Sequence, residues 1–382
     1  MIDKLLLWSA PATLGLLVLV TLLPLVPAGA WWVRVWDFPR LQIVFLLLLP
    51  LGLTVGHALR NPFHSQHAAM LVVIAAVAAW QLTHVAPFTP LWRHEVPDAT
   101  DDAATTFKLL TANIDYKNRR YDDVLAMFLE EDPDLLLVVE VDKKWATALT
   151  PLDERYPHRA GVVRDKGLGI VLWSRLPLND PEVRHLVSDE RASIFATVEL
   201  SDGAPLRFVG IHPTPPGLRE SHAERKHAED DGDDDDDRHD SRVRDAELVL
   251  VAREARRDHE PRWIVTGDFN DVAWSHTTRL FQDLSALKDP RRGRALMNTY
   301  PIKWPPCRFP IDHVFVSDGL HLASMNRVMT PGSDHFAIQA TFALAERDHT
   351  APDASAEDHE EAEELVDEGK EDAAERESVA PE

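Results

Sequence analysis

In the later two-thirds of this 382-residue chain, six apolar runs stop or start at a side chain able to bind a metal or move a proton. Leu109-Leu110-Thr111-Ala112 runs into Asn113, with Asp115 two positions on. Residues 135–139 run into Glu140, residues 208–211 into His212, and residues 263–267 into Asp268, with Asn270 two beyond. Asp312-His313 leads into Val314-Phe315-Val316, and Ser333-Asp334-His335 into Phe336-Ala337-Ile338. A carboxylate in the middle of a buried strand carries a large desolvation cost. Where the strand leaves the core, the same carboxylate sits on a rim shared with its neighbours. A rim bearing Asn, Glu, Asp and His is an oxygen-rich site with one or two imidazoles. Hard divalent ions want that ligand set: Mg²⁺, or Mn²⁺, which the same oxygens accept.

The runs themselves are four to seven residues long, the size of strands. Between them, residues 122–131 and 241–257 read as amphipathic helices, the second opening with Ser241 as its cap. The pattern predicts an α/β domain over residues 107–344, with many strands and no internal repeat. Ahead of it the material changes. Residues 5–26, 41–59 and 68–86 carry no charge, and each approaches the ~20 residues a helix needs to cross a bilayer. Trp31, Trp32, Trp36 and Trp92 flank these segments as an interfacial belt would. Residues 1–95 are therefore predicted to be a membrane anchor of three transmembrane helices, joined by a polar linker at 96–106. Lys4 and Arg60 fall on one side, and Arg34, Arg40 and Arg93 on the other. That near balance leaves the orientation open, with a lean towards an extracytoplasmic domain in the cell membrane.

The net charge of −23 is concentrated in two places. Residues 229–240 hold nine acidic residues against one arginine, and residues 345–382 hold sixteen against three basic ones. The rest of the chain is near neutral, so an anionic substrate is not excluded. The first block is predicted to be a solvated insertion in the domain and the second a disordered tail. A single cysteine, Cys307, excludes an internal disulfide framework and any cysteine-built zinc or iron–sulfur site.

Gly267-Asp268-Phe269-Asn270, Ile311-Asp312-His313-Val314, Ser333-Asp334-His335 and Glu140 closing its aliphatic run resemble the endonuclease/exonuclease/phosphatase superfamily. That group includes DNase I-like nucleases, apurinic endonucleases, neutral sphingomyelinases and inositol polyphosphate phosphatases. His212-Pro213-Thr214-Pro215-Pro216, Thr299-Tyr300-Pro301 and the preceding helices resemble its bacterial membrane-anchored branch. The resemblance implies an α/β fold, a two-sheet β-sandwich flanked by helices, with the site at one edge. It implies Glu140 as the principal Mg²⁺ ligand, supported by Asn113 and Asp115, with Asp334 near the metal. Asp268 and Asn270 would hold the attacking water and phosphoryl oxygens. His335 would contact the phosphate or act as general base, with Asp312 fixing its tautomer. His212 would donate to a phosphate oxygen or the leaving group, although relatives read Asn-Thr-His-Leu where this chain has Gly210-Ile211-His212-Pro213. His313 is expected to pack against a strand edge, and Arg175 to support the architecture.

The chemistry fits those roles. Hydrolysing a phosphoester sets an anion against a nucleophile, and a metal's positive charge offsets the repulsion. An imidazole accepts a proton near pH 7, and a carboxylate on its far nitrogen raises its basicity. The leading expectation is a membrane-anchored, metal-dependent phosphodiesterase or nuclease, for which Arg119, Arg120, Arg291, Arg292 and Arg294 are the candidate backbone contacts. The first alternative is a phospholipase- or sphingomyelinase-like head-group hydrolase, with Trp304 reaching lipid. The second is a non-catalytic binding module of the same fold. No protein partner is implied.

Overall fold

The aliphatic runs are apolar at every position because both of their faces are covered. In the computed structural model, which describes residues 2–26, 28–100, 105–215, 217–218, 238–239, 241–259, 261–347 and 353–379, they form two sheets packed face to face with helices outside. In chain order the strands are β1 (Thr106–Asn113), β2 (Leu135–Val139), β3 (His158–Val162), β4 (Ile170–Ser174), β5 (Leu178–Arg184), β6 (Ser193–Glu199) and β7 (Pro205–Ile211). The two-residue β8 (Gly217–Leu218) and β9 (Arg238–His239) follow, then β10 (Arg262–Asp268), β11 (Asp312–Val316), β12 (Leu320–Met329) and β13 (Phe336–Leu344). One sheet runs β12-β13-β1-β2-β4-β3 and the other β11-β10-β7-β6-β5. Only β1–β2 and β7–β10 pair in parallel among the described strands.

Alternation within each run sorts side chains to opposite faces. Leu135, Leu137 and Val139 of β2 face the space between the sheets, where Phe208, Ile264 and Val314 meet them. Leu136 and Val138 face outward onto α6 (Tyr121–Glu131) and α7 (Lys143–Ala148), against Phe128 and Trp145. The outer face of the second sheet, with Val209, Val265 and Phe315, is covered by α8 (Arg242–Arg257) and α9 (His276–Ser285). Burying each such side chain contributes about 1.5–3 kcal/mol. The two sheets also touch through a buried hydroxyl pair, Thr111 Oγ1 to Thr266 Oγ1 at 2.8 Å, directly behind the strand ends that carry Asn113 and Asp268.

The N-terminal region holds three helical segments long and apolar enough to span a membrane: Trp8–Leu25, Arg40–Ala58 and Ser65–Phe88. They pack through Leu14, Leu17, Ile43, Leu47, Ile74 and Val77, while Leu16, Leu19, Phe45 and Val72 stay exposed on their outer faces. Contiguous exposed aliphatics of this kind suit lipid, not water. The helices of this region are α1 (Ile2–Leu22), α2 (Trp31–Arg34), α3 (Arg40–Leu46), α4 (Leu48–Ala58) and α5 (Ser65–Val85), with the short α2 between the first two spans.

Several expectations change here. Ser241 precedes α8, but its hydroxyl makes no capping bond; it lies 2.7 Å from Asp245 Oδ2 and 3.1 Å from Gly29 O of the N-terminal region. Val96 is fully buried among the inter-sheet residues and Asp98 bridges to Leu322, so part of the expected linker belongs to the domain. The tail expected to be disordered contains α10 (Ala356–Val379), which lays Ala362, Val366 and Ala373 against the body of the protein. The acidic run 229–240 lies outside the described residues, except for positions 238 and 239.

Candidate active site

Each site residue is placed by the strand it ends. Glu140 follows β2 and Asn113 closes β1, its parallel neighbour; Asp268 closes β10, and Asp312 opens the antiparallel β11 directly opposite it. Gly267 permits the β10 end: at φ +147° a Cβ would sit 1.8 Å from Ile211 O of β7. Glu140, Asp115 and Asn270 hold φ of 68°, 53° and 52°, the left-handed region that non-glycine residues seldom occupy and that recurs at functional sites.

The Asn113 amide ties the two sheets' carboxylates together. Its Nδ2 donates to Glu140 Oε1 at 2.8 Å and Asp268 Oδ2 at 3.1 Å, while its Oδ1 accepts the Asp115 N–H at 3.0 Å. Asn113 thus meets the carboxylates as a hydrogen-bond donor. Glu140 Oε2 accepts the Tyr116 N–H at 3.0 Å. Asp268 Oδ1 accepts the Asn270 N–H at 2.9 Å, and Asn270 Nδ2 donates to Pro213 O at 3.0 Å.

On the other side of Asp268 stand the two histidines. His335 donates from Nδ1 to Asp312 Oδ2 at 2.8 Å, its ring meets Tyr300 at a tilt of 38° with centroids 4.7 Å apart, and its Nε2 lies 3.7 Å from Asp268 Oδ2. His212 Nε2 lies 3.9 Å from that same oxygen, with the Arg191 Nη1 at 3.0 Å from both of its ring nitrogens. Asp268, Asp312 and His335, all buried, form the one group among the described residues whose ligand atoms could surround a single metal ion.

Electrostatics separates these groups. Burial, then the nearby Asp312 charge, pushes the Asp268 carboxyl up to about 7. Burial alone would lower His335, but the Asp312 and Asp268 carboxylates outweigh it and raise the imidazole to about 10. His335 is therefore an imidazolium at neutral pH. Burial, reinforced by Arg191 and His335, holds His212 well below its ordinary value and neutral. Asp115 is raised by burial and by the neighbouring Asp334 charge.

Asp115, Glu140, Asp268, Asn270, Asp334 and His335 open onto one cleft of about 500 Å³. A cavity of about 700 Å³ elsewhere, lined by Glu95, Arg256, Asp283 and Asp358, receives none of these residues. Asp334 reaches the cleft but lies outside the Asp268–Asp312–His335 group, its backbone oxygen accepting from Ile302.

A second layer braces the strand ends. Buried Arg244 bonds Asp245, approaches Asp271 at 3.5 Å and donates to Asn270 O at 2.9 Å. His313 is buried at the strand edge as expected, with Nε2 donating to Asp271 O at 2.8 Å and Nδ1 accepting from Arg291 at 2.6 Å. Arg175 pairs with Asp132 and covers Tyr156. Four of the five arginines considered for a nucleic-acid backbone are ion-paired: Arg291 is fully buried on Asp289, Arg292 meets Glu95, Arg294 meets Asp98 and Arg120 meets Asp123, while exposed Arg119 donates to the Tyr116 and Asn118 carbonyls. Sequence reasoning missed Arg191 and the contact of the Tyr300 ring with His335. It also missed Trp31, Arg34, Val35 and Phe38 of the N-terminal region, which line the same cleft. The motif carrying Tyr300 was visible; for the others no spacing pointed to the site.

Residues 110–335 match the family model described as Endonuclease/Exonuclease/phosphatase family. Among solved structures the chain is similar to the endonuclease/exonuclease/phosphatase from Bacteroides vulgatus, at 17% identity, covering 63% of this chain and 99% of that one, with a TM-score of 0.48. It is also similar to truncated Caenorhabditis elegans TDP2, at 15% identity, 64% and 100% coverage and a TM-score of 0.44. A third is the human Nocturnin catalytic domain with bound sulfate anion, at 18% identity, 63% and 95% coverage and a TM-score of 0.43. No curated protein matches the chain in sequence.

Proposed function

Because the chain belongs to the endonuclease/exonuclease/phosphatase family, we propose that it is a membrane-anchored, divalent-metal-dependent phosphoesterase that uses water to break a P–O ester bond. The observation that carries this reading is the convergence on Asp268 Oδ2, with the Asn113 amide at 3.1 Å and the two imidazoles at 3.7 and 3.9 Å. These gaps leave the two ring nitrogens without a direct hydrogen bond to the carboxylate, as sites that receive an oxygen between donors do. Asp268, raised towards neutrality, takes the proton of the attacking water. The His335 imidazolium, oriented by Asp312, donates to a phosphoryl oxygen as negative charge builds there. Neutral His212 adds an N–H to the same anion, and Asn113 fixes the distance between Glu140 and Asp268.

The donor set suits a hard cation. Glu140, Asp268 and Asp312 bring three buried carboxylates together, and Asp312 Oδ1 is buried with no hydrogen-bond partner. Mg²⁺ and Mn²⁺ need only one or two carboxylates and keep several waters, so Glu140 on the open cleft would hold the ion, which when bound would supply positive charge to the phosphoryl oxygens.

The ion-paired arginines favour the head-group reading over the nuclease reading, since a nucleic-acid strand needs free cations along its path. The test is hydrolysis by the full chain in detergent micelles with Mg²⁺ or Mn²⁺, beside Asp268→Ala and His335→Ala. DNA, RNA, sphingomyelin, glycerophospholipids and inositol phosphates are offered in parallel. Turnover that both variants and a chelator abolish supports the proposal; folded protein that binds no metal and turns over nothing returns the domain to a binding role.

A further inference from the structure

We propose that the anchor supplies part of the active site: Arg34 is a phosphate-binding residue of the cleft, and the substrate is a phosphoester whose apolar body remains in the bilayer. The inference rests on the phosphoesterase reading and adds to it the substrate class. With three spans, the segment between the first and second must lie on the same side of the membrane as the domain that follows the third. That segment is built into the domain. Trp274 Nε1 donates to Asp37 O at 2.8 Å, Ser241 N donates to Gly29 O at 2.9 Å, and the Phe38 ring meets Phe309 edge-on at 5.4 Å.

The consequence is a cleft with two unlike walls. One bears Asp115, Glu140, Asp268 and His335; the other bears Trp31, Val35 and Phe38 with the guanidinium-bearing Arg34 among them. Arg34 is only 7% exposed, and its Nε has no hydrogen-bond partner. The Asp37 carboxylate, near enough to feel the Arg34 charge and lining a second cavity with it, is hydrogen-bonded by Arg40 at 2.5 Å and not by Arg34. A buried cation with an unused donor is costly unless an anion completes it. Guanidinium suits phosphate because its planar fork meets two oxygens at once. The apolar residues around it suit hydrocarbon, not a charged strand or a free sugar phosphate.

A separate observation sets the cleft against the membrane. Gln42, in the first turn of the second span, donates to Pro306 O at 2.8 Å and holds the loop containing Trp304 at the head of the helices. Trp304 is 68% exposed there, placed as an interfacial tryptophan is.

The experiment uses the full chain in phosphatidylcholine nanodiscs, as wild type, Arg34→Gln, Arg34→Lys and His335→Ala, each checked by its thermal melt. Phosphatidylglycerol, phosphatidylinositol and sphingomyelin are offered in vesicles, beside their deacylated head-group esters and a single-stranded oligonucleotide. Affinity for inorganic phosphate is measured on the same samples by calorimetry. We expect one of the lipids to be hydrolysed at least about 100-fold faster than its deacylated ester, with Arg34→Gln raising KM and weakening phosphate by about 10- to 100-fold, and Arg34→Lys restoring part of it. Equal turnover of the deacylated ester or the oligonucleotide, lost in His335→Ala, would overturn the lipid assignment while leaving the phosphoesterase standing. Phosphate affinity unchanged in a folded Arg34→Gln protein would overturn the role of Arg34, whatever is hydrolysed. Absence of all hydrolysis with intact phosphate binding would overturn the phosphoesterase reading and the substrate with it.

Discussion

Replacing Asp312 by asparagine keeps the shape of the His335 contact and removes its charge. The carboxylate accepts the Nδ1–H at 2.8 Å in a buried setting. With charge centres about 4 Å apart and an effective dielectric constant of about 20, that pair is worth about 4 kcal/mol. At 1.36 kcal/mol per unit this corresponds to a drop of about three pKa units. His335, held up to about 10 in the wild type, would then titrate near 7. The variant should lose activity most where its imidazole has become neutral, so the wild-type-to-variant ratio should climb as pH rises from 6 to 9. At pH 8 about a tenth of the variant's imidazole is protonated, so we expect a loss of about 10-fold in kcat there, growing to about 100-fold at pH 9. The assay is hydrolysis of bis-p-nitrophenyl phosphate by the full chain in micelles, with the His335 titration followed by NMR of labelled histidine. A ratio that stays flat across that range, or a His335 titration left where it was, would refute the assignment of an Asp312-held imidazolium.

Other consequences are as specific. Gly267→Ala drives a Cβ into Ile211 O and should destabilise the β7–β10 pair by about 3–5 kcal/mol, read as a lowered midpoint in thermal or denaturant unfolding. His313, held down to about 3 by burial and then Arg291, binds its proton more readily when unfolded. Stability should therefore be fully present above pH 6.5 and be lost progressively as pH falls towards 3, by at most about 5 kcal/mol, a slope that melts between those pH values would expose. Arg291→Ala leaves the fully buried Asp289 unpaired and should cost about 3–5 kcal/mol of stability with KM unchanged, whereas a phosphate-binding Arg291 would raise KM. A chelator should silence the enzyme and Mg²⁺ or Mn²⁺ restore it, with Glu140→Gln needing about 10- to 100-fold more metal for half-maximal rate.

The legible part of the fold was local. Runs such as residues 135–139 announce a strand covered on both sides, and a carboxylate directly after such a run has only the rim to occupy. The strand-end residues Asn113, Glu140, Asp268 and Asp312 do meet at one such rim. What was illegible depended on partners distant in sequence. Arg291, Arg292 and Arg294 read as a basic cluster, yet Asp289, Glu95 and Asp98 take their charges inside the fold. The acidic tail read as disordered on net charge, while its small apolar positions Ala362, Val366 and Ala373 were enough to seat a helix. Arg34 read as a flank of a membrane segment because nothing in its spacing reveals that Gly29, Asp37 and Phe38 dock on the domain.

The most direct measurement of the central claim is single-turnover hydrolysis in ¹⁸O-labelled water by the full chain in nanodiscs with Mg²⁺, using a phosphoester the enzyme accepts, beside Asp268→Asn. The account predicts one labelled oxygen on the phosphorus-containing product and loss of the reaction in the variant. Label appearing on the leaving alcohol, or turnover that survives without the Asp268 carboxylate, would contradict it.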